Sequence, residues 1–223
     1  MHHLVLFFSL FVLNSCHTDT DMNTYTPSQS DLLEAVQKNQ LALVEEALKK
    51  GANVNTTDKN GKSLLLIATQ DNAVEMAKLL ISYKANVNQQ DQRLDSPFLY
   101  AGAAGHTALV QLYLSNGARF DVFNRYNGTA LIPACERGHL EVVKILANTK
   151  GFPIDHVNRL GWTALMEAVI LGNGSQKFVN VVQTLVDAGC NIHIADHDKI
   201  TPLQHAKSKG YASIVQILEK ASQ

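Results

Sequence analysis

Asn127-Gly128-Thr129-Ala130-Leu131-Ile132-Pro133-Ala134-Cys135-Glu136-Arg137-Gly138-His139-Leu140-Glu141-Val142-Val143-Lys144-Ile145-Leu146 holds the fold in miniature. The hydroxyl of Thr129 stands where it can cap the orphan N–H groups of a helix start. Leu131 and Ala134 follow on one helical face, and the small Ala lets a neighbouring helix come close. Gly138 then supplies a residue that tolerates the left-handed conformation ending a helix. The first helix is therefore only about two turns long. Leu140 to Leu146 reads as a second helix, with apolar residues recurring at helical period.

The pattern recurs along most of the chain. The hydroxyl series is Ser30, Ser63, Ser96, Thr129, Thr163 and Thr201, spaced 33 apart as far as Thr129 and then 34 and 38. Leu32, Leu65, Phe98, Leu131, Leu165 and Leu203 keep step with it, as do Ala35, Ala68, Ala101, Ala134, Ala168 and Ala206. The helix-ending position holds Asn39, Asn72, Gly105, Gly138, Gly172 and Gly210. Pro97 and Pro202 follow their caps, where a missing N–H costs nothing. Second helices are marked by Met76, Leu79 and Leu80, by Leu109 and Leu112, by Val181, Val182 and Leu185, and by Ile214, Val215, Ile217 and Leu218. Gly51-Ala52, Gly117-Ala118 and Gly189-Cys190 break them, and Asp58, Asp91, Asn124, Asn158 and Asp196 favour tight turns before the next cap. A fixed period of this length means stacked supersecondary units sharing one continuous core.

The unit resembles the ankyrin consensus, D-x-x-G-x-T-P-L-H-x-A-A-x-x-G-H followed by V-V-x-x-L-L and G-A. Thr201-Pro202-Leu203, Gly138-His139 and Gly51-Ala52-Asn53-Val54-Asn55 match it closely. The resemblance spans residues 30–223 and implies an all-α ankyrin-repeat solenoid of six helix–turn–helix repeats with short β-turn fingers. The repeats run over about 30–57, 58–90, 91–123, 124–157, 158–195 and 196–223. The consensus His after Thr-Pro-Leu is replaced throughout, by Leu33, Leu66, Leu99, Ile132, Met166 and Gln204, so apolar packing is expected in place of its hydrogen bonds. The fourth unit has one extra residue near Asn148 to Gly151. The fifth has about five within Asn173 to Lys177, which reads as a protruding loop: a tolerated surface insertion or a partner contact.

Nineteen Lys and Arg balance twenty Asp and Glu, for a net charge of −1. Such a balance argues against a nucleic-acid partner. Residues 1–15 read as an export signal: the apolar run Leu4 to Leu13 is too short for a permanent anchor. Leu13-Asn14-Ser15-Cys16 resembles the bacterial lipobox, which implies lipidation at Cys16; a simple cleaved signal peptide is the alternative. Residues 16–29 read as a polar, flexible tether. The address implied is the periplasmic side of the bacterial cell envelope, with His17 favouring the outer membrane.

No signature of catalysis, of a cofactor or of a metal site is legible. There is no Gly-rich phosphate loop and no nucleophile elbow. His106 and His139 belong to the Gly-His pair, while His193 and His197 lie in a connector without zinc-site spacing. Cys135 and Cys190 replace small residues at positions expected to be buried, and their placement on different layers disfavours a disulfide. Asn127-Gly128-Thr129 and Asn173-Gly174-Ser175 fit the glycosylation pattern, which a bacterial source would make idle.

The resemblance also implies where a partner would sit. Ankyrin fingers and the late part of each first helix form the concave face. Carried onto this chain, those positions are Arg125, Tyr126, Glu136 and Arg137 in the fourth unit and Arg159, Leu160, Trp162, Ile170 and Leu171 in the fifth, with Gln92, Arg93 and Asp95 in the third. Trp, Tyr and Arg are the types that dominate interface energetics; Trp162 could instead pack between fingers. The function expected is a monomeric, non-enzymatic protein-binding adaptor, lipid-anchored and of unknown partner. Alternatives are a periplasmic immunity protein neutralising a toxin, or an accessory factor for an oxidative-defence enzyme.

Overall fold

A computed structural model describes residues 28–223. The expected export signal, Cys16 and all but the end of the expected tether lie outside the described residues. Among the described residues there are twelve helices and no strand. They come in pairs: α1 (Gln29–Gln37) with α2 (Leu41–Lys49), α3 (Leu64–Gln70) with α4 (Val74–Ser82), and α5 (Pro97–Ala104) with α6 (Thr107–Leu114). The second half pairs α7 (Leu131–Arg137) with α8 (Leu140–Ala147), α9 (Ala164–Ile170) with α10 (Gln176–Asp187), and α11 (Pro202–Ser208) with α12 (Ala212–Ala221).

Each odd-numbered helix packs on the next odd one, and each even on the next even, so two helical layers run the length of the array. Between them lies one continuous core. Ala68, Ala101, Ala134, Ala168 and Ala206 are almost fully enclosed, which is why nothing larger stands there. The position that lacks the consensus His is apolar and sealed in the middle repeats: Leu66 0%, Leu99 3%, Ile132 4% and Met166 0% exposed. Gln204, at the end of the array, instead closes a capping box with Thr201.

Ser63, Ser96, Thr163 and Thr201 cap their helices as the sequence pattern predicts, each accepting from the backbone N–H three residues on. Two expected caps are different. In the first repeat the cap is Ser28, boxed with Asp31, and Ser30 lies inside α1. In the fourth, Thr129 makes no cap bond; α7 starts at Leu131, and the Thr129 hydroxyl is buried without a partner. Pro133 lacks the N–H that would bond back to the Thr129 carbonyl, so α7 starts one residue later than its counterparts.

The fingers are built alike. In all five, Oδ1 of the leading Asp or Asn accepts from the backbone N–H two and four residues on: Asp58 from Asn60 and Lys62, Asp91 from Arg93 and Asp95, Asn124 from Tyr126 and Gly128, Asn158 from Leu160 and Trp162, and Asp196 from Asp198 and Ile200. The fourth residue of each finger is left-handed: Gly61, Leu94, Asn127, Gly161 and Lys199. Adjacent fingers are tied through the backbone, Gln92 N–H to Asn60 C=O at 3.0 Å and Arg159 N–H to Tyr126 C=O at 2.9 Å.

The insertion in the fifth repeat is not a free loop. Gln176 and Lys177 begin α10, which reaches twelve residues, so part of the extra chain lengthens the helix. The rest is pinned by the sixth repeat, where the Tyr211 hydroxyl donates to the Gly172 carbonyl at 3.0 Å. Gly172 is not left-handed, unlike its counterparts; Gly174 takes that role at φ +69°. Gly172 is required for closeness instead, since a Cβ there would meet the Ala168 carbonyl and the Phe178 ring.

Candidate functional site

The fingers and the inner helices enclose a groove of about 550 Å³ between the second and fifth repeats. Its finger side carries Arg93, Asp95, Arg125, Tyr126 and Leu160, and its helix side carries Tyr100, Pro133, Glu136, Arg137, Glu167 and Leu171. Of the residues singled out in the sequence, Arg125, Tyr126, Glu136, Arg137, Leu160 and Leu171 are brought together here, with Arg93 and Asp95 from the third repeat. Arg159, Trp162, Ile170 and Gln92 do not line it. Trp162 is half-buried, and Arg159 lies along the finger tips, donating to the Arg125 carbonyl at 3.1 Å.

Three large apolar side chains on the groove are open to solvent: Tyr126 50%, Leu160 46% and Leu171 48% exposed. Neighbouring polar contacts hold the arginines in place. The Arg125 guanidinium lies 4.9 Å over the Tyr126 ring and 3.9 Å from the Asp95 carboxylate. Arg137 donates to the Ala103 carbonyl of the preceding repeat. Burial and the nearby Asp91 push the Asp95 carboxyl upward, with Arg125 opposing them.

Glu167 escaped the sequence reading. It sits on the inner face of α9 at the position occupied by Ile67, Tyr100 and Pro133 in the preceding repeats, and is only 4% exposed. The Asn158 amide donates to its Oε1 at 2.9 Å, while Oε2 has no partner. Burial first, and the Glu136 carboxylate second, raise its pKa from the usual glutamate range to about 7. The sixth repeat makes the matching contact with opposite chemistry: His205 stands in the place of Glu167 and Asp196 in that of Asn158, 2.7 Å apart. A turn Asp beside Glu167 would set two carboxylates together, and Asn at 158 avoids that. The swap of Asp for Asn opposite a Glu nine residues on was the available sequence signal.

Among the described residues, Cys135 and Cys190 are both free thiols. Cys135 is sealed in α7 and its thiol is pushed well up by burial; Cys190 is pushed up to about 12, again mainly by burial. Neither thiol is poised as a nucleophile. Among the described residues, no group of three or more His, Cys, Asp or Glu is arranged to hold a metal ion, and no helix is long and apolar enough to cross a membrane.

Comparison with known proteins agrees with this architecture. A family model described as ankyrin repeats (3 copies) matches residues 32–124 and 98–196. The ankyrin repeat protein YahD of Escherichia coli (strain K12) is 33% identical over 190 residues, covering 85% of this chain and 94% of its own length. An ankyrin repeat domain from Acinetobacter baumannii AYE superposes with a TM-score of 0.84 at 42% identity, covering 87% of this chain and 99% of that one. The ankyrin repeat protein EF0377 superposes with a TM-score of 0.85 at 38% identity and the same coverage.

Proposed function

Because this chain belongs to the ankyrin-repeat family, a family of protein-interaction modules, we infer that it is a binding adaptor whose partner docks in the groove between fingers and inner helices. The carrying observation is the exposure of Tyr126, Leu160 and Leu171 together on one concave surface flanked by arginines. An apolar cluster of this kind, rimmed by charge, suits a protein contact. Rigid stacking keeps the ordering cost of binding low.

Lipid anchoring at Cys16, on the periplasmic side of a bacterial envelope, is part of the same proposal and is supported by Leu13-Asn14-Ser15-Cys16 alone. A tethered monomer without chemistry of its own would serve as a scaffold there. The experiment for the groove is affinity capture from the native host with the full chain, comparing wild type with Tyr126→Ala, Leu160→Ala and Leu171→Ala combined. The expected outcome is loss of a discrete partner, at least about tenfold in affinity, since anchors of this type carry most of an interface's energy. Retention of every captured protein at unchanged affinity contradicts the groove. For the anchor, Cys16→Ala is expected to release the protein from membranes; unchanged membrane association removes that part of the proposal.

A further inference from the structure

The floor of the groove contains an acceptor without a donor. Glu167 Oε2 is buried and makes no hydrogen bond, although the residue lines the groove. A buried carboxylate oxygen left unmet is expensive and calls for a partner. Glu136, from α7, lies close enough to raise the Glu167 pKa by repulsion, so two carboxyls face the same space. Neither forms an ion pair among the described residues. Of the cations lining the groove, Arg125 is engaged with Asp95 and Tyr126, Arg137 with the Ala103 carbonyl and Lys62 with Gln70, while Arg93 belongs to the third repeat, two repeats before Glu167.

Resting on the reading of the groove as the partner's seat, we propose that Glu167 and Glu136 form a socket for a lysine or arginine side chain of the bound protein. The chemistry of the walls fits. Leu160 and Leu171 offer apolar surface to an aliphatic stem, while the two carboxyls take the charged head. Reaching Oε2 takes a turn of the carboxyl about its terminal torsion, which is broad and soft. The same turn carries Oε1 with it, so the Asn158 amide follows that oxygen or passes to the other as the cation arrives. A cation seated between them offsets the repulsion between two acids with two attractions.

The test needs no knowledge of the partner. Full-length protein with carbon-13-labelled Glu is titrated with acetyl-lysine methylamide, acetyl-arginine methylamide and, as the control, acetyl-norleucine methylamide, following the Glu167 carboxyl resonance. Saturable shifts with the Lys and Arg amides, absent with norleucine, are expected. Glu136→Gln, a change on a half-exposed side chain that leaves the core intact, should weaken them at least about tenfold, the scale of a hydrogen bond to a charged group. Equal responses to all three probes, or none at Glu167, overturn the socket.

The two readings fail separately. If the Tyr126, Leu160 and Leu171 variant loses the partner but Glu136→Gln with Glu167→Gln keeps it at wild-type affinity, the groove reading survives and the socket falls. If the amides bind at Glu167 but the groove variant keeps its partners, the groove reading falls and the socket survives as a cation site only.

Discussion

Leu94 and Lys199 stand at the fourth residue of their fingers with φ of +61° and +65°, where Gly61 and Gly161 occupy the same position in neighbouring repeats. Left-handed backbone at a residue with a Cβ costs roughly 1–2 kcal/mol. Glycine removes that cost, against a somewhat larger entropy loss from the unfolded chain. Lys199→Gly is therefore expected to raise stability by up to about 1 kcal/mol, read as a shift in the urea midpoint at unchanged slope. Leu94→Gly should do the same, and it also removes a 41% exposed apolar side chain. Destabilisation by both would mean that their side chains hold the fingers. Glu167 gives a pH prediction at the same scale. Its folded pKa, about 7, is above the usual glutamate value of 4.5, so the folded state holds the extra proton between those limits. Stability must then fall as pH rises through that window, because the native chain binds more protons than the unfolded one. The Glu167 contribution is expected to be about 1–2 kcal/mol, discounted from the full shift because the groove admits solvent. Glu167→Gln should flatten the stability profile between pH 5 and pH 8 by about that amount. A profile unchanged by this substitution would show that the carboxyl is ordinary.

At the scale of the helix, one repeating signal has two physical outcomes. Thr163 and Thr129 hold the same place in consecutive repeats, yet Thr163 accepts from the Met166 N–H at 3.2 Å and Thr129 bonds to nothing. Removing a working cap costs about 1 kcal/mol, whereas replacing a buried, unmet hydroxyl by a methyl of the same shape relieves desolvation. Thr163→Val should thus destabilise by about 1 kcal/mol and Thr129→Val should be neutral or stabilising, compared by thermal unfolding. Equal losses at the two sites would show that Thr129 does cap α7. The contrast also marks what could be read in the sequence. Cap, Leu and Ala recur because each answers to its own helix and the one beside it, so they are legible in the period. The later start of α7 is a consequence of Pro133, four residues after Thr129, and the shift of the first cap to Ser28 is a consequence of Asp31 boxing with it. Both are local, but they depend on which of two nearby hydroxyls or turns wins, which the period does not specify. Eight of the twelve residues carried onto the concave face line the groove, since finger and helix positions carry over directly. Glu167 was hidden because a helical Glu ordinarily faces water; its burial comes from the packing of α9 on α7 and α11.

Over the whole molecule, each repeat touches only its neighbours, so stability is a sum of repeat terms and interface terms that is least complete at the ends. The burial of the inner helices follows that logic. Leu64 to Thr69 of α3 and Ala164 to Val169 of α9 are buried without interruption, whereas α1 buries only Leu32, Ala35 and Val36, and α11 only Pro202 and Ala206. The outer layer ends likewise in α12, with Ile214 and Leu218 alone enclosed. The exposed i,i+3 and i,i+4 ion pairs do not offset this, being worth little each. The terminal repeats should therefore open first and the third to fifth last. Native-state amide exchange is expected to show the slowest protection in α5, α7 and α9 and faster exchange in α1, α2 and α12. The groove lies over the well-protected stretch, so its walls would be held rigid while the ends fray, which is what a preorganised contact face requires. Tyr211→Phe gives this a sharper edge. It cuts the bond from the sixth repeat to the Gly172 carbonyl, an interface term of about 1 kcal/mol, and should speed exchange in α11 and α12 while leaving α5 and α7 unchanged. Uniform acceleration along the whole array would mean that the repeats unfold as one unit and that coupling between neighbours, rather than burial within each, governs the stability of the face.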